Sequence, residues 1–105
     1  MGFRTIDFMS ENKKTWVILR IVIEEDMVDS SIGLVKATEE NAVMHLGRVM
    51  AQCKHNDEDS FKRTTHIFNS DDSDGRQYSG TVYFEDYEVC YSMRSLDNFN
   101  VLELD

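Results

Sequence analysis

Eight consecutive residues, Trp16 to Ile23 (WVILRIVI), are apolar at every position except Arg20. Alternate side chains of a strand point to opposite faces, so Val17, Leu19, Ile21 and Ile23 would share one face and Trp16, Ile18 and Val22 the other. A strand with one solvated face would alternate apolar and polar residues. This one does not, which predicts a central strand covered on both sides. The acidic run Glu24-Glu25-Asp26 ends it, and Ile32 to Lys36 reads as a short second strand.

The period then lengthens. Ala42, Val43, Leu46, Val49, Met50 and Cys53 recur at helical spacing. Thr38 supplies an N-cap oxygen, Glu39 and Glu40 complement the positive end of the helix dipole, and Lys54 and His55 suit the negative end. One long helix over about residues 38–55 follows. Gly47 inside it costs about 1 kcal/mol relative to alanine, which points to a close packing contact at that position.

Period two returns in the last third. With Glu85-Asp86 as a hairpin turn, Phe84 faces Tyr87 and Val82 faces Val89. With Asp97-Asn98 as the next turn, Met93 faces Leu102 and Tyr91 faces Leu104 on the same side. The opposite side receives Tyr83, Glu88, Cys90, Ser92, Arg94 and Glu103. Both turns agree on one apolar face, which predicts a β-meander; because Glu-Asp is a poor hairpin dipeptide, one long bent strand from Thr81 to Met93 is the alternative. Upstream, Thr65 to Phe68 pairs with Gln77 to Phe84 across the loop Asn69 to Gly75.

These patterns predict an α+β fold. It is an antiparallel sheet of about five strands, with the long helix packed on one face and the meander at the C-terminal end. Residues 1–105 form a single domain, 105 residues being too few for two. Residues 1–10, with Phe3, Ile6 and Phe8, read either as an edge strand or as an extension ahead of a start at Met9.

Composition narrows the class. The chain is 41% hydrophobic, evenly spread, which excludes a disordered polymer. No stretch approaches the ~18 apolar residues of a membrane helix, and Met1-Gly2-Phe3-Arg4 does not start a signal peptide. Cys53 and Cys90 form neither a C-x-x-C motif nor a disulfide-rich pattern, which suggests a reducing compartment. A cytoplasmic, soluble protein with no membrane association is expected.

Motifs for chemistry are sparse. Asp71-Asp72-Ser73-Asp74-Gly75 resembles a calcium loop, but with Gly75 at loop position 6 the closing position 12 is Thr81, not glutamate. A solvated hairpin loop is the plainer reading, and no metal site is assigned. His45, Cys53 and His55 point to different sides of one helix and cannot converge on zinc, which needs three or four ligands at ~2.0–2.3 Å. Cys53 continues the apolar stripe and reads as a core cysteine. Cys53, His55 and Asp57 lie too close on one helix end to make a triad. The five glycines are scattered, so none forms a phosphate cradle. No catalytic residue and no cofactor are assigned, and the protein is read as no enzyme.

Direct nucleic-acid binding is disfavoured because the basic residues are dispersed apart from Lys13-Lys14 and Lys62-Arg63. Of the tyrosines Tyr83, Tyr87 and Tyr91, whose rings could stack on bases, Tyr87 and Tyr91 face the core, leaving Tyr83 outside.

Charge is the most uneven property of the chain. The formal net charge is −9. Residues 71–105 hold only Arg76 and Arg94 against nine acidic side chains, so −7 of the total sits in the meander. Solubility and edge protection account for such charge in the plainer reading. The functional reading is electrostatic recognition of a protein partner with a basic surface, through Asp71, Asp72, Asp74, Glu85, Asp86 and Glu88. Its sharpest form is a phage or mobile-element inhibitor that fills the basic groove of a nucleic-acid-handling defence protein. In size and charge, not in any motif, the chain resembles small immunity proteins. The alternative is an accessory or regulatory subunit, such as a homodimer joined through a sheet edge, recognised by an apolar patch and salt-insensitive association. A small cofactor-free enzyme is the third class, and it predicts a concave pocket with convergent polar groups and perturbed titration.

Overall fold

The computed structural model describes residues 13–72, 75–98 and 103–104. Strands β1 (Lys14–Glu24) and β2 (Val28–Ala37) lead into helix α1 (Glu39–Asn56). Strands β3 (Phe61–Thr64), β4 (Phe68–Asp72), β5 (Gly75–Phe84) and β6 (Tyr87–Ser95) follow, and a 3₁₀ turn spans Leu96–Asn98. The six strands make one antiparallel sheet in the order β2-β1-β6-β5-β3, with β4 also pairing with β5. The fold is α+β: a sheet with one helix on one face.

The helix forms where its period predicted. The Thr38 hydroxyl accepts from the Asn41 N–H at 3.3 Å, and Glu39 and Glu40 occupy the first turn. Ala42, Leu46 and Met50, four residues apart, are its buried stripe. They rest on a sheet face made of Trp16, Ile18, Tyr78, Val82, Phe84, Val89, Tyr91 and Met93, all buried. The close approach of helix and sheet occurs at Gly80 rather than at Gly47. A β-carbon at Gly80 would sit 2.6 Å from Met50 Cε, whereas one at Gly47 would meet Ile67 Cδ1 at an ordinary 3.8 Å.

The β5–β6 hairpin has the expected register: Val82 lies opposite Val89 and Tyr83 opposite Glu88. The rings of Phe84 and Tyr87 stack across the turn at 4.5 Å. The meander, however, is β4-β5-β6, not β5-β6 plus a strand after Asp97-Asn98. The free side of β6 is taken by β1, with Ile18 opposite Met93 and Arg20 opposite Tyr91, so no third strand can pair there. Asp97 and Asn98 belong to the 3₁₀ turn, and residues 99–102 lie outside the described set, as do residues 1–12. Residues 65–67 are the break between β3 and β4 and not the core of a strand.

Two-sided burial of β1 is corrected by the structure. Trp16 and Ile18 are 2% and 8% exposed beneath the helix. Val17, Leu19 and Ile21 are only half-buried, Ile23 is exposed, and none of them belongs to the core cluster. The described residues hold one long helix, and no helix or strand among them covers the second face. β2 is also longer than predicted. It extends back to Val28 because β1 offers it a partner along its length, with Ile23 opposite Val28 and Lys14 opposite Ala37.

Candidate functional site

Charge is segregated along the strands. The turn between β1 and β2 carries Glu24, Glu25 and Asp26, and the turn between β5 and β6 carries Glu85 and Asp86. The β1–β6 pairing, with Glu24 opposite Tyr87, brings the two turns to the same end of the sheet. They line one concavity of about 770 Å³ together with Met27 and Tyr87, and no lysine, arginine or histidine is in its lining.

A third acidic segment reaches the same end. The Tyr87 hydroxyl donates to the Asp57 carboxylate at the C-cap of α1. The Glu85 N–H donates to the Ser60 carbonyl at 2.9 Å. Asp57, Glu58 and Asp59 are thereby held against the Glu85-Asp86 turn. His55 Nδ1 lies 2.8 Å from Glu58 Oε1, and Lys54 Nζ sits 4.7 Å from the centroid of the Phe61 ring. Residues from 24–26, 57–59 and 85–86, far apart in the chain, thus form one acidic end.

The six residues singled out from the sequence do not share one surface. Glu85 and Asp86 lie exposed in the acidic end. Glu88 is half-buried on the uncovered face of β6, opposite Ile23 and Tyr83. Asp71 and Asp72 lie at the other end of β5, opposite Arg76 and Gly75. Ten residues of strand put them about 30 Å away. Asp74 lies outside the described residues, and Asp72 is described only as to its backbone. Asp71 is already paired: Arg76 Nε and Nη2 reach its two oxygens at 2.9 and 3.3 Å. That hydrogen bond holds the Asp71 carboxyl below its ordinary range, against a smaller upward effect of desolvation. The same guanidinium reaches Glu39 Oε2 at 3.3 Å, and the Tyr78 hydroxyl donates to that oxygen too.

Sequence reading placed Glu24, Glu25 and Asp26 at the end of a strand but did not join them to Glu85 and Asp86. The joining signal is the long-range pairing of β1 with β6, which no local pattern announces. The same holds for a cleft of about 620 Å³ between the C-terminal half of α1 and strands β1 and β6. Arg20, Gln52, Cys53, Asn56, Asp57, Tyr87 and Tyr91 line it over a floor that includes Val49 and Val89. Arg20, the lone break in the apolar run of β1, is its cation.

Two tyrosines in this cleft titrate abnormally. Burial, helped by contact with Cys53, pushes Tyr91 up to about 12 against an opposing Arg20 contact. Burial and then the Asp57 hydrogen bond push Tyr87 up to about 12 as well. Upward shifts keep both phenols protonated, and the Tyr87 hydroxyl, donating to Asp57, fastens the end of the helix to the sheet. No histidine lines the cleft beside Cys53. Among the described residues there is also no group of three or more His, Cys, Asp or Glu placed to hold a metal ion.

Comparison with known proteins returns nothing to set beside this geometry: no protein family, curated protein or solved structure matches the chain. Among the described residues no helix is long and apolar enough to cross a membrane.

Proposed function

We propose that the protein is a binding protein that engages a basic surface of a protein partner through the acidic end of its sheet. The observation that supports this reading is the convergence of three acidic segments, 24–26, 57–59 and 85–86, at one end of the sheet, where 24–26 and 85–86 line a concavity with no cation in its lining. Like charges held together by the fold raise the local potential and steer an oppositely charged partner, at a rate that falls with salt. The opposite end differs, because there Arg76 already neutralises Asp71. The contact set is accordingly Glu25, Asp26, Glu58, Asp59, Glu85 and Asp86, with Asp71 outside it. An inhibitor of phage or mobile-element origin, filling the groove in which a defence protein handles nucleic acid, is the specific form of this function.

The test is capture from the lysate of the encoding organism or its host with the wild-type chain and with E25Q/D26N/E85Q/D86N, washed at low and at high salt. A basic protein retained by the wild type at low salt, and lost with the variant, supports the reading. Equal retention by both, or retention indifferent to salt across a several-fold change in Debye length, overturns it.

A second reading, a subunit acting through oligomerisation, is favoured by a different observation. Ile23, Val28, Ile32 and Leu34 are 37%, 68%, 68% and 66% exposed on the helix-free face of the sheet.

A further inference from the structure

The two edges of the sheet are built differently. On the far side of β5 stand two short strands, β3 of four residues and β4 of five, separated by a break, with the register shifting between Phe61 and Arg63. Charged Lys62, Arg63 and Asp71 lie along this edge. Short, irregular, charged edges resist pairing with other chains. The β2 edge is neither short nor irregular, and its charges, Asp29 and Lys36, stand only near its ends. It is ten residues long, pairs with β1 without interruption, and carries no charge from Ser30 to Val35.

The charge on the β1–β2 hairpin is polar in the other sense of the word. Lys13, Lys14 and Lys36 lie at one end and Glu24, Glu25, Asp26 and Asp29 at the other. From this we infer that the partner of the β2 edge is a second copy of this chain, paired antiparallel through β2 to give a continuous twelve-stranded sheet. An antiparallel two-fold pairing sets the lysine end of each copy against the acidic end of the other, twice. The inference gives the subunit reading a specific partner; it shares Asp26 with the acidic-end contact set but needs none of Glu58, Asp59, Glu85 and Asp86.

The symmetry also selects the register. The two-fold axis stands normal to the sheet, so residues directly opposite each other come from the same face. Centring on Ile32 places it against the second copy's Ile32, Ser30 against Leu34, and Val28 against Lys36. Lys36 then lies diagonally from the second copy's Asp26, which sits two residues beyond that copy's Val28 in the turn before β2. Centring on Gly33 instead would set Lys36 against Ser30 and leave Val28 beyond the paired region. With Ile32 on the axis, the exposed apolar residues of both copies form one strip flanked by Leu19, which is paired with Ile32 inside each copy. The guarded β3/β4 edges stop growth at two copies. Glu85 and Asp86 stay clear of the seam, their strands lying roughly 10–15 Å from the β2 edge at ordinary strand spacing.

Sedimentation of the full chain over the low to high micromolar range tests this. The wild type is expected at twice the 12.2 kDa chain mass. Ile32→Lys, which sets like charges on the axis, is expected to weaken association by at least about tenfold. Its circular dichroism should be unchanged, because Ile32 is exposed in the single chain. Lys36→Glu weakens the dimer, and D26K/K36E restores it. A wild type that stays monomeric throughout, or a dimer indifferent to Ile32→Lys, overturns the inference. So does a double variant no tighter than Lys36→Glu alone. Failure here leaves the salt-dependent capture of a basic protein intact, and failure there leaves this result intact.

Discussion

The two faces of the sheet are drawn from the same strands yet live in different worlds. On β1, Trp16 and Ile18 lie under the helix, while Val17 and Leu19 beside them are only half-buried. On β6, Val89, Tyr91 and Met93 are buried, and Cys90 and Ser92 between them are only half-buried. The difference is set by the helix, whose Ala42, Leu46 and Met50 meet one side only. Apolarity thus records what a residue can tolerate, and coverage decides what it contributes. An apolar residue without a covering layer holds its share of the hydrophobic free energy in reserve for another surface.

That contrast can be broken most directly by placing the same charge on each face. Leu46→Asp puts an unpaired carboxylate into the fully buried stripe and is expected to abolish the cooperative melt, a loss of about 3 kcal/mol or more. Phe68→Asp, on the uncovered face of β4, is expected to change stability by less than about 1 kcal/mol. Urea denaturation of both decides the matter. Comparable losses would mean that the second face is covered in solution.

A smaller effect comes from the tyrosines that fasten the covered face. Tyr87 and Tyr91 are held above the ordinary tyrosine value of about 10, to about 12. The folded state therefore keeps two protons that the unfolded state releases. Their contribution is complete below pH about 10 and is lost as pH rises from there to about 12. Denaturation midpoints should fall steeply across that window, and less steeply in Tyr87→Phe, which removes one of the upward-shifted phenols while Tyr91 and Tyr78 keep theirs. A flat profile would show that neither hydroxyl is held at the helix–sheet seam.

The smallest pair sharpens where the two layers touch. Gly80→Ala forces the Met50 thioether aside and is expected to cost about 1 kcal/mol, since only the far end of a flexible side chain must move. Gly47→Ala meets only ordinary contact and should stabilise the helix by about 0.5–1 kcal/mol. Thermal melts of the two variants are expected to move in opposite directions.

Which features were legible in the sequence follows from how far apart their causes lie. The helix was readable because its cap, first turn and apolar stripe are local. The β5–β6 register was readable because alternation and turn position fix each other's parity. The true extent of β2 was not, since Val28-Asp29-Ser30-Ser31 carries no strand pattern and is extended only because β1 lies beside it. The acidic end was half legible. Glu85 and Asp86 were identified, but Glu24 to Asp26 join them only through β1–β6 pairing, and Asp57 to Asp59 only through the Tyr87 and Ser60 contacts. The expectation that Asp71 belonged to the same surface came from counting charge along the chain, which ignores the length of β5 between them.

The order of the strands has a consequence for how the chain comes into being. β6, the last of the described strands in chain order, lies between β1 and β5 and, among the described residues, is the one strand that joins the β1–β2 hairpin to β3, β4 and β5. Until Tyr87–Ser95 has left the ribosome, β1 lacks one of its two neighbours and the floor beneath the helix is missing Val89, Tyr91 and Met93. Closure waits for a contact between distant parts of the chain, which places folding on the slow side for a domain of this size. It also leaves an apolar hairpin exposed while translation finishes, the stage at which a nascent chain is most open to wrong pairing.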